Sequence, residues 1–412
     1  MKFFTFILLV VPTLLAAQDE AFIYGKVSTR DGNMYQGAIR WGKEEVYWSD
    51  LFNASKEEND NLRHLSSAQR DKLDEQQAWA SGESSIGSFL RSVSLSSERY
   101  LFHSDGSYIH QFGEIKSIHP KSRRYTAIEL QNGERFTLDG EGYNDIGATI
   151  HIKDKAVGDV AVEWTQIERV EFMPTPKKLA DKFGDVLYGT VETYDGTYSG
   201  YVQWDHDERV STDKLDGDSE DGKLSIPFEK IRSIERRAGH AVVVLNSGRE
   251  LDLRGSNDVN SDNRGIIVLN KDIPSIDIPW RNFKKVTFTE APQPIVRYED
   301  FKSQKPLQGK VTLNTGETLN GTIIYDLDET ATYELLQGKI DETKFAIPFR
   351  NIRTITIKST YNCDIELVNG KHISLFDDHD VSQRNQGLLL TTTSSATPQY
   401  IPWQNVQSIS FQ

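Results

Sequence analysis

Cysteine is almost absent: the 412 residues contain one, Cys363. That excludes an intrachain disulfide and any multi-cysteine metal site. Basic charge is in deficit, with 47 Lys and Arg against 61 Asp and Glu and a formal net charge of −14. A general nucleic-acid binder needs the opposite balance to displace counterions. Beyond Leu15 no stretch approaches the roughly 20 apolar residues that cross a bilayer as a helix. Catalytic signatures are missing too. There is no Gly-x-Ser-x-Gly, P-loop, dinucleotide fingerprint or His-Glu-x-x-His, and the nine histidines show no zinc spacing. The chain therefore points to no catalytic residue, no metal and no cofactor, and the expectation is a protein that is not an enzyme. What is present is 37% hydrophobic and 26% charged. That composition is ordinary for a folded globular protein and too apolar for disorder. The length allows two to four domains.

Met1-Lys2, the apolar run Phe3 to Leu15, Ala16-Ala17 and polar Gln18-Asp19-Glu20 follow the order of a secretory signal peptide. Cleavage is expected after Ala17. The mature chain is then periplasmic or secreted, with no transmembrane segment. In that compartment cysteines are usually paired. Cys363 instead alternates with Ile365 and Leu367 on one strand face, which reads as a small buried hydrophobe.

The remainder is repetitive. The segments beginning Ile23-Tyr-Gly-Lys-Val, Leu187-Tyr-Gly-Thr-Val and Leu307-Gln-Gly-Lys-Val each run through a second glycine (Gly37, Gly200, Gly321) to Trp41, Trp204 or Tyr325. Each continues to a second signature: His110-Gln-Phe-Gly-Glu-Ile115, Ile226-Pro-Phe-Glu-Lys-Ile231 and Ile347-Pro-Phe-Arg-Asn-Ile352. A different half-unit follows each time and ends in a tryptophan and, eight residues on, a phenylalanine: Trp164 to Phe172, Trp280 to Phe288, Trp403 to Phe411. Constant spacing of this kind marks internal repeats. The expected layout is a signal peptide at 1–17, repeat 1 at 18–173, a linker at 174–186 and repeat 2 at 187–290. A linker at 291–306 and repeat 3 at 307–412 complete it. Paired prolines make both linkers extended and fairly stiff.

Repeat 1 carries an insertion at about 53–99. From Gly37 to Phe112 is 75 residues, where the other copies have 28. Within it Ser66-Ser-Ala-Gln69 has the form of a capping box, and helix formers run to Ala80 before Gly82. The helix is mostly polar, with Leu73, Ala78 and Trp79 its main apolar members. It reads as a surface element, either a decorated loop or a lid or partner-binding arm.

Val311-Thr-Leu-Asn-Thr-Gly-Glu-Thr-Leu-Asn-Gly-Thr-Ile323 is a hairpin signal, and Asp31-Gly32 and Asp195-Gly196 mark the same turn. The mid-strand glycine indicates a bulge or sharp bend. Ile347-Pro-Phe-Arg-Asn-Ile-Arg-Thr-Ile355 reads as strand, one tight turn, closing strand. Hairpin, bent strand, third strand, turn and closing strand together resemble the small five-stranded barrel of SH3-like and Sm-like proteins. The resemblance implies an all-β chain of three tandem repeats, each of two such barrels, with a helical insertion in the first. The alternative architecture is a six-bladed β-propeller. The RNA-contacting residues of Sm proteins have no counterpart, so no nucleic-acid partner is implied.

Candidate binding residues are those repeated in loops or lacking a repeat counterpart. Asn144-Asp145, Asn257-Asp258 and His379-Asp380 place one polar loop in each repeat. Asp145, Asp258 and Asp380 either accept hydrogen bonds from a ligand, bind a cation, or cap turns by bonding backbone N–H groups. Trp48 and Trp79 have no repeat counterpart and are candidate surface aromatics. Trp41, Trp204, Tyr325, Trp164, Trp280 and Trp403 recur at fixed positions and are expected in cores. Asp216-Gly-Asp-Ser-Glu-Asp-Gly222 lacks the glycine at position six and the glutamate at position twelve of a calcium loop, and reads as a solvated hairpin tip. The resulting expectation is an exported, non-enzymatic β-repeat protein. It would act as an interaction scaffold or binding protein for an envelope or extracellular protein or a polysaccharide. The alternative is a carbohydrate-binding protein or a carbohydrate hydrolase.

Overall fold

A computed structural model describes residues 19–56, 59–80, 107–291, 296–302, 304–393, 395 and 397–412. The expected signal peptide and its cleavage point, Gly82, the insertion beyond Ala80 and the proline pair at 292 and 294 lie outside these residues. The described chain is mostly antiparallel β, with one α-helix, Ser67–Ala80.

The first ten strands show how the chain is wound. They are β1 (Tyr24–Thr29), β2 (Met34–Trp41), β3 (Leu51–Lys56), β4 (Ser107–Gln111) and β5 (Ile115–Pro120), followed by β6 (Tyr125–Leu130), β7 (Arg135–Asp139), β8 (Ile150–Asp154), β9 (Gly158–Val162) and β10 (Ile167–Phe172). Their order in the sheet is β4-β3-β7-β6-β5-β10-β1-β2-β8-β9. Neither half is self-contained. β2 leaves its hairpin with β1 and pairs with β8, while β3 pairs with β7. The two halves meet where β5 pairs with β10.

The same pairing recurs in the two later segments. Thr197–Trp204 pairs with Ile266–Leu269, and Thr318–Tyr325 with Leu388–Thr391. Registers match as well: Trp41 faces Ile150, Trp204 faces Ile266, and Tyr325 faces Leu388. Three sets of ten strands result. The sheets are open and none closes into a barrel. The five-stranded barrels expected from consecutive strands are therefore not formed, because each half gives away strands to the other.

Two features divert β2. Past Trp41 the chain turns back through a Trp41–Glu45 bridge and then crosses the start of β1, where Phe22 faces Tyr47. Bridges of Val186 to Val210 and Pro306 to Ala331 repeat this crossing in the other sets. The crossing carries β3 to the far group of strands and frees the edge of β2 for β8. Paired glycines then allow close approach: Gly25 faces Gly37, Gly189 faces Gly200, and Gly309 faces Gly321. A Cβ on Gly37 would lie 1.9 Å from the Lys153 carbonyl oxygen, and one on Gly321 would lie 2.1 Å from that of Thr391. The mid-strand glycine is thus a crossing point between strands.

Alternation along the strands fills the cores. Val27, Val170 and Ile118 line up across β1, β10 and β5 and are fully buried, as are Trp41, Trp204 and Tyr325. Trp164, Trp280 and Trp403 are buried beside them. Cys363 is buried, and burial pushes its thiol up to about 12. The hairpin 214–227 carries Glu220 and Asp221 at an exposed tip.

The connections do not behave as solvated spacers. Thr175 is buried and bonds the Phe22 carbonyl, while Tyr298 and Phe301 pack into the core of the first set. The insertion also docks inside the chain. Its capping box forms, with Ser66 N–H donating to Gln69 Oε1 at 2.8 Å and Gln69 N–H donating to Ser66 Oγ at 3.3 Å. Leu62, Leu65 and Leu73 bury against Leu327 and Leu389 of the third set. The first part of the insertion is therefore an internal strap and not a free surface arm. Between the second and third sets the tie is a strand pair, Ser275–Ile278 with Thr343–Pro348.

Gly37→Ala should destabilise the protein by about 3 kcal/mol, the upper end for overpacking a tight site. Gly196→Ala is the control, because its Cβ would meet nothing closer than Tyr198 Oη at 3.5 Å. It should stay within about 0.5 kcal/mol. Urea unfolding of the two variants checks both figures.

Candidate functional site

Each crossing turn is closed by a carboxylate. One oxygen of Asp50 accepts from the Val46 and Tyr47 N–H groups, and one of Asp213 from Arg209 and Val210. Glu334 does the same for Thr330 and Ala331. The second oxygen of each carboxylate meets a cation from a different set. Arg209 reaches Asp50 at 2.6 Å, Arg40 reaches Asp213 at 2.7 Å, and Lys56 reaches Glu334 at 3.5 Å. The first two contacts are reciprocal between the first and second sets. Arg209 is fully buried, donates also to the Val202 carbonyl, and stacks 4.7 Å over the Tyr47 ring.

The three loop aspartates come to equivalent, inward positions. Asp145, Asp258 and Asp380 are 1–5% exposed. Their carboxylates accept from the N–H groups of Asn53, Asp216 and Gln337, each at 2.6 Å. Their carbonyls accept from Trp41 Nε1, Trp204 Nε1 and Tyr325 Oη. Each aspartate thus ties its loop both to a strand and to the repeated aromatic.

A glutamate from the crossing turn lies near each aspartate: Glu45, Glu208 and Glu329. Burial raises the pKa of all six carboxyls, and neighbouring negative charge adds to it. Asp145 is pushed up to about 7, Asp258 to about 6 and Glu208 to about 9. In the third set His379 Nδ1 lies 2.6 Å from Asp326 Oδ2, and in the second set the Asn257 amide holds Asp205 in the same way. Ligand atoms of Asp326, His379 and Asp380, and likewise of Asp205, Glu208 and Asp258, lie within 4.8 Å of one another, a grouping of a kind that could hold a cation.

The two tryptophan candidates part company. Trp48 is fully buried, so the expected surface aromatic is enclosed. Its Nε1 donates to Thr175 Oγ1, and its ring lies 4.4 Å from that of Tyr298. The two connecting segments cover it, which spacing within one repeat does not reveal. Trp79 lies in the helix Ser67–Ala80, and its side chain is outside the described residues.

The three sets leave between them a half-open cleft of about 970 Å³. The first set contributes Tyr47, Ser49 and Gln111, the second Tyr198, Tyr201 and the segment 269–276, and the third Phe345, Arg350 and the segment 371–374. Arg350 is oriented by bonds to Glu114 at 2.8 Å and Gln111 at 2.7 Å. Sequence reasoning missed this place because no single repeat contains it. One signal was legible: Tyr188, Tyr194, Tyr198 and Tyr201 crowd one hairpin, where the third repeat has Gln308, Asn314, Leu319 and Thr322.

No family model, no curated protein and no solved structure matches this chain.

The buried carboxyls set a pH dependence. Their folded pKa values lie above the unfolded values near 4, so between the two the folded chain holds more protons, and stability falls as pH rises from the unfolded to the folded values, up to about 9 for Glu208. Burial lowers the pKa of His110, so its opposite effect is confined to below about pH 6.5. The melting temperature should therefore drop between about pH 7 and about pH 9. Glu208→Gln should raise it at the upper end and flatten the slope. Calorimetry across that range checks both.

Proposed function

We propose that the protein is an exported, non-enzymatic binding protein of the cell envelope or the extracellular space, with the central cleft as its ligand site. The observation that carries this reading is the cleft itself. Its volume falls at the top of the roughly 300–1,000 Å³ range of small-molecule sites. It is lined from three separate parts of the chain. Asp50, Asp213, Glu334, Asp145, Asp258 and Asp380 accept from turn and strand N–H groups, while Glu208 and Glu329 each keep one buried carboxylate oxygen without a hydrogen-bond partner.

On this reading the three sets are repeats of two SH3-like halves that have exchanged strands, and the repetition serves to enclose one site. Export rests on the amino-terminal pattern of Met1 to Glu20. The mature chain then begins at Gln18.

The test places a photo-crosslinking amino acid at Ser199, in the cleft, or at Tyr361, an exposed tyrosine outside it, in the chain expressed in its producing cells. A discrete adduct at position 199 and none at 361, on protein recovered from the envelope or medium with Gln18 at its start, is the expected outcome. Retention of the protein in the cytoplasm would contradict export. Release of reducing sugar from envelope polysaccharide, lost on substituting a single carboxylate, would overturn the non-enzymatic reading and favour a hydrolase.

A further inference from the structure

We propose that the cleft takes a single-chain amphipathic acid, an apolar chain ending in a carboxylate. This rests on the cleft being the ligand site and adds the chemistry of what enters it.

The walls supply the first argument. Ile273, Pro274, Ile276 and Phe345 face the cleft together with the rings of Tyr198 and Tyr201. Such a surface gains by covering hydrocarbon, because apolar area is removed from water.

Charge supplies the second. The chain as a whole is acidic, at −14. The cleft reverses this locally, with Lys271, Arg350 and Lys371 among its lining residues against the single carboxylate of Asp272. Lys371 lies 3.6 Å from Asp272, and Arg350 is held by Glu114 and Gln111 with its side chain still 37% exposed. An anion is the complementary ligand, and a guanidinium held in place is suited to a carboxylate.

The cleft also holds an orphaned donor. Tyr47 lines the cleft and is 3% exposed, yet its hydroxyl has no hydrogen-bond partner. Burial raises its pKa, so it keeps its proton and can only gain by donating to an acceptor. A buried hydroxyl left unpaired loses its hydration without gaining a bond in return. A carboxylate oxygen entering from the cleft relieves that cost, while an aliphatic terminus does not.

The experiment uses the full mature chain and a dansyl-labelled undecanoic acid as the fluorescent probe. Competitors are hexadecanoic acid, its methyl ester and vesicles of a two-chain anionic phospholipid. Saturable binding is expected, with hexadecanoic acid displacing the probe about tenfold more effectively than the ester. Tyr47→Phe and the pair Lys271→Gln/Lys371→Gln should each weaken binding by about fivefold without lowering the melting temperature, which Tyr47→Phe should leave equal or raise. Ser199→Trp, which fills the cleft from an exposed strand position, should abolish it.

Equal displacement by acid and ester overturns the assignment of an anion but leaves the cleft as a ligand site. Absence of saturable binding, or transfer to the vesicles as the favoured competitor, overturns the single-chain acid. Crosslinking at Ser199 then still decides whether the cleft is used. Binding that survives Ser199→Trp overturns both readings together.

Discussion

The structure depends on strands crossing at backbone contact distance. Gly25 against Gly37, Gly189 against Gly200 and Gly309 against Gly321 leave no side chain between the first hairpin and the strand that crosses it. With that space, β2 and its counterparts accept a strand from the other half. Further pairings follow: β3 with β7 and β5 with β10, the latter repeated in the second and third sets, while the counterpart of β3–β7 is reduced to the single contacts Asp218 with Arg254 and Lys339 with Phe376. A side chain at these positions would force the crossing strand away. The two halves of a set would then lose the register that brings Val27, Val170 and Ile118 together.

The crossing turn that follows β2 does a second job. Its backbone N–H groups need an acceptor once they leave the sheet, and Asp50, Asp213 and Glu334 supply it. A carboxylate buried this way needs a counter-charge. The chain takes each one from another set: Arg209, Arg40 and Lys56. The local requirement of a turn thereby becomes a bond between sets. Removing one partner of such a buried pair typically costs about 3–5 kcal/mol, because the other is left uncompensated. The strap through Leu62, Leu65 and Leu73, the two connecting segments and the strand pair at 275–278 add to the same assembly. The cleft is the space these ties enclose.

Much of the local structure was legible from residue order. Strand alternation, the Asp-Gly and Asn-containing turns, the repeated aromatics as core and the capping box at Ser66 all follow from short-range chemistry. The recurring segments were legible in the sequence, but the pairing of their strands was not. A strand that alternates correctly pairs equally well with a neighbour nearby or one a hundred residues on, and only the three-dimensional path decides. Trp48 shows the same limit. Its lack of a repeat counterpart suggested an exposed ring, yet it is enclosed by Thr175 and Tyr298 from two connections. Asp145, Asp258 and Asp380 were legible as a repeated polar loop. Whether they faced outward or inward depended on Trp41, Trp204 and Tyr325, which lie 54 or more residues away in the chain. The cleft escaped because its walls come from three sets.

The central claim is that the halves of each set exchange strands, and a cysteine pair tests it most directly. Thr322 and Thr391 face each other across the exchanged pair of the third set, and the native Cys363 is buried. Directly opposed residues of an antiparallel pair place their Cβ atoms about 4.5–5.5 Å apart, close enough for a short thiol crosslink. Thr322→Cys with Thr391→Cys should crosslink rapidly within one chain, and Thr322→Cys with Gln337→Cys, which joins strands adjacent in sequence, should not. Crosslinking of the second pair and not the first would mean that each half folds on itself, and the account of the fold and of the cleft it encloses would fail.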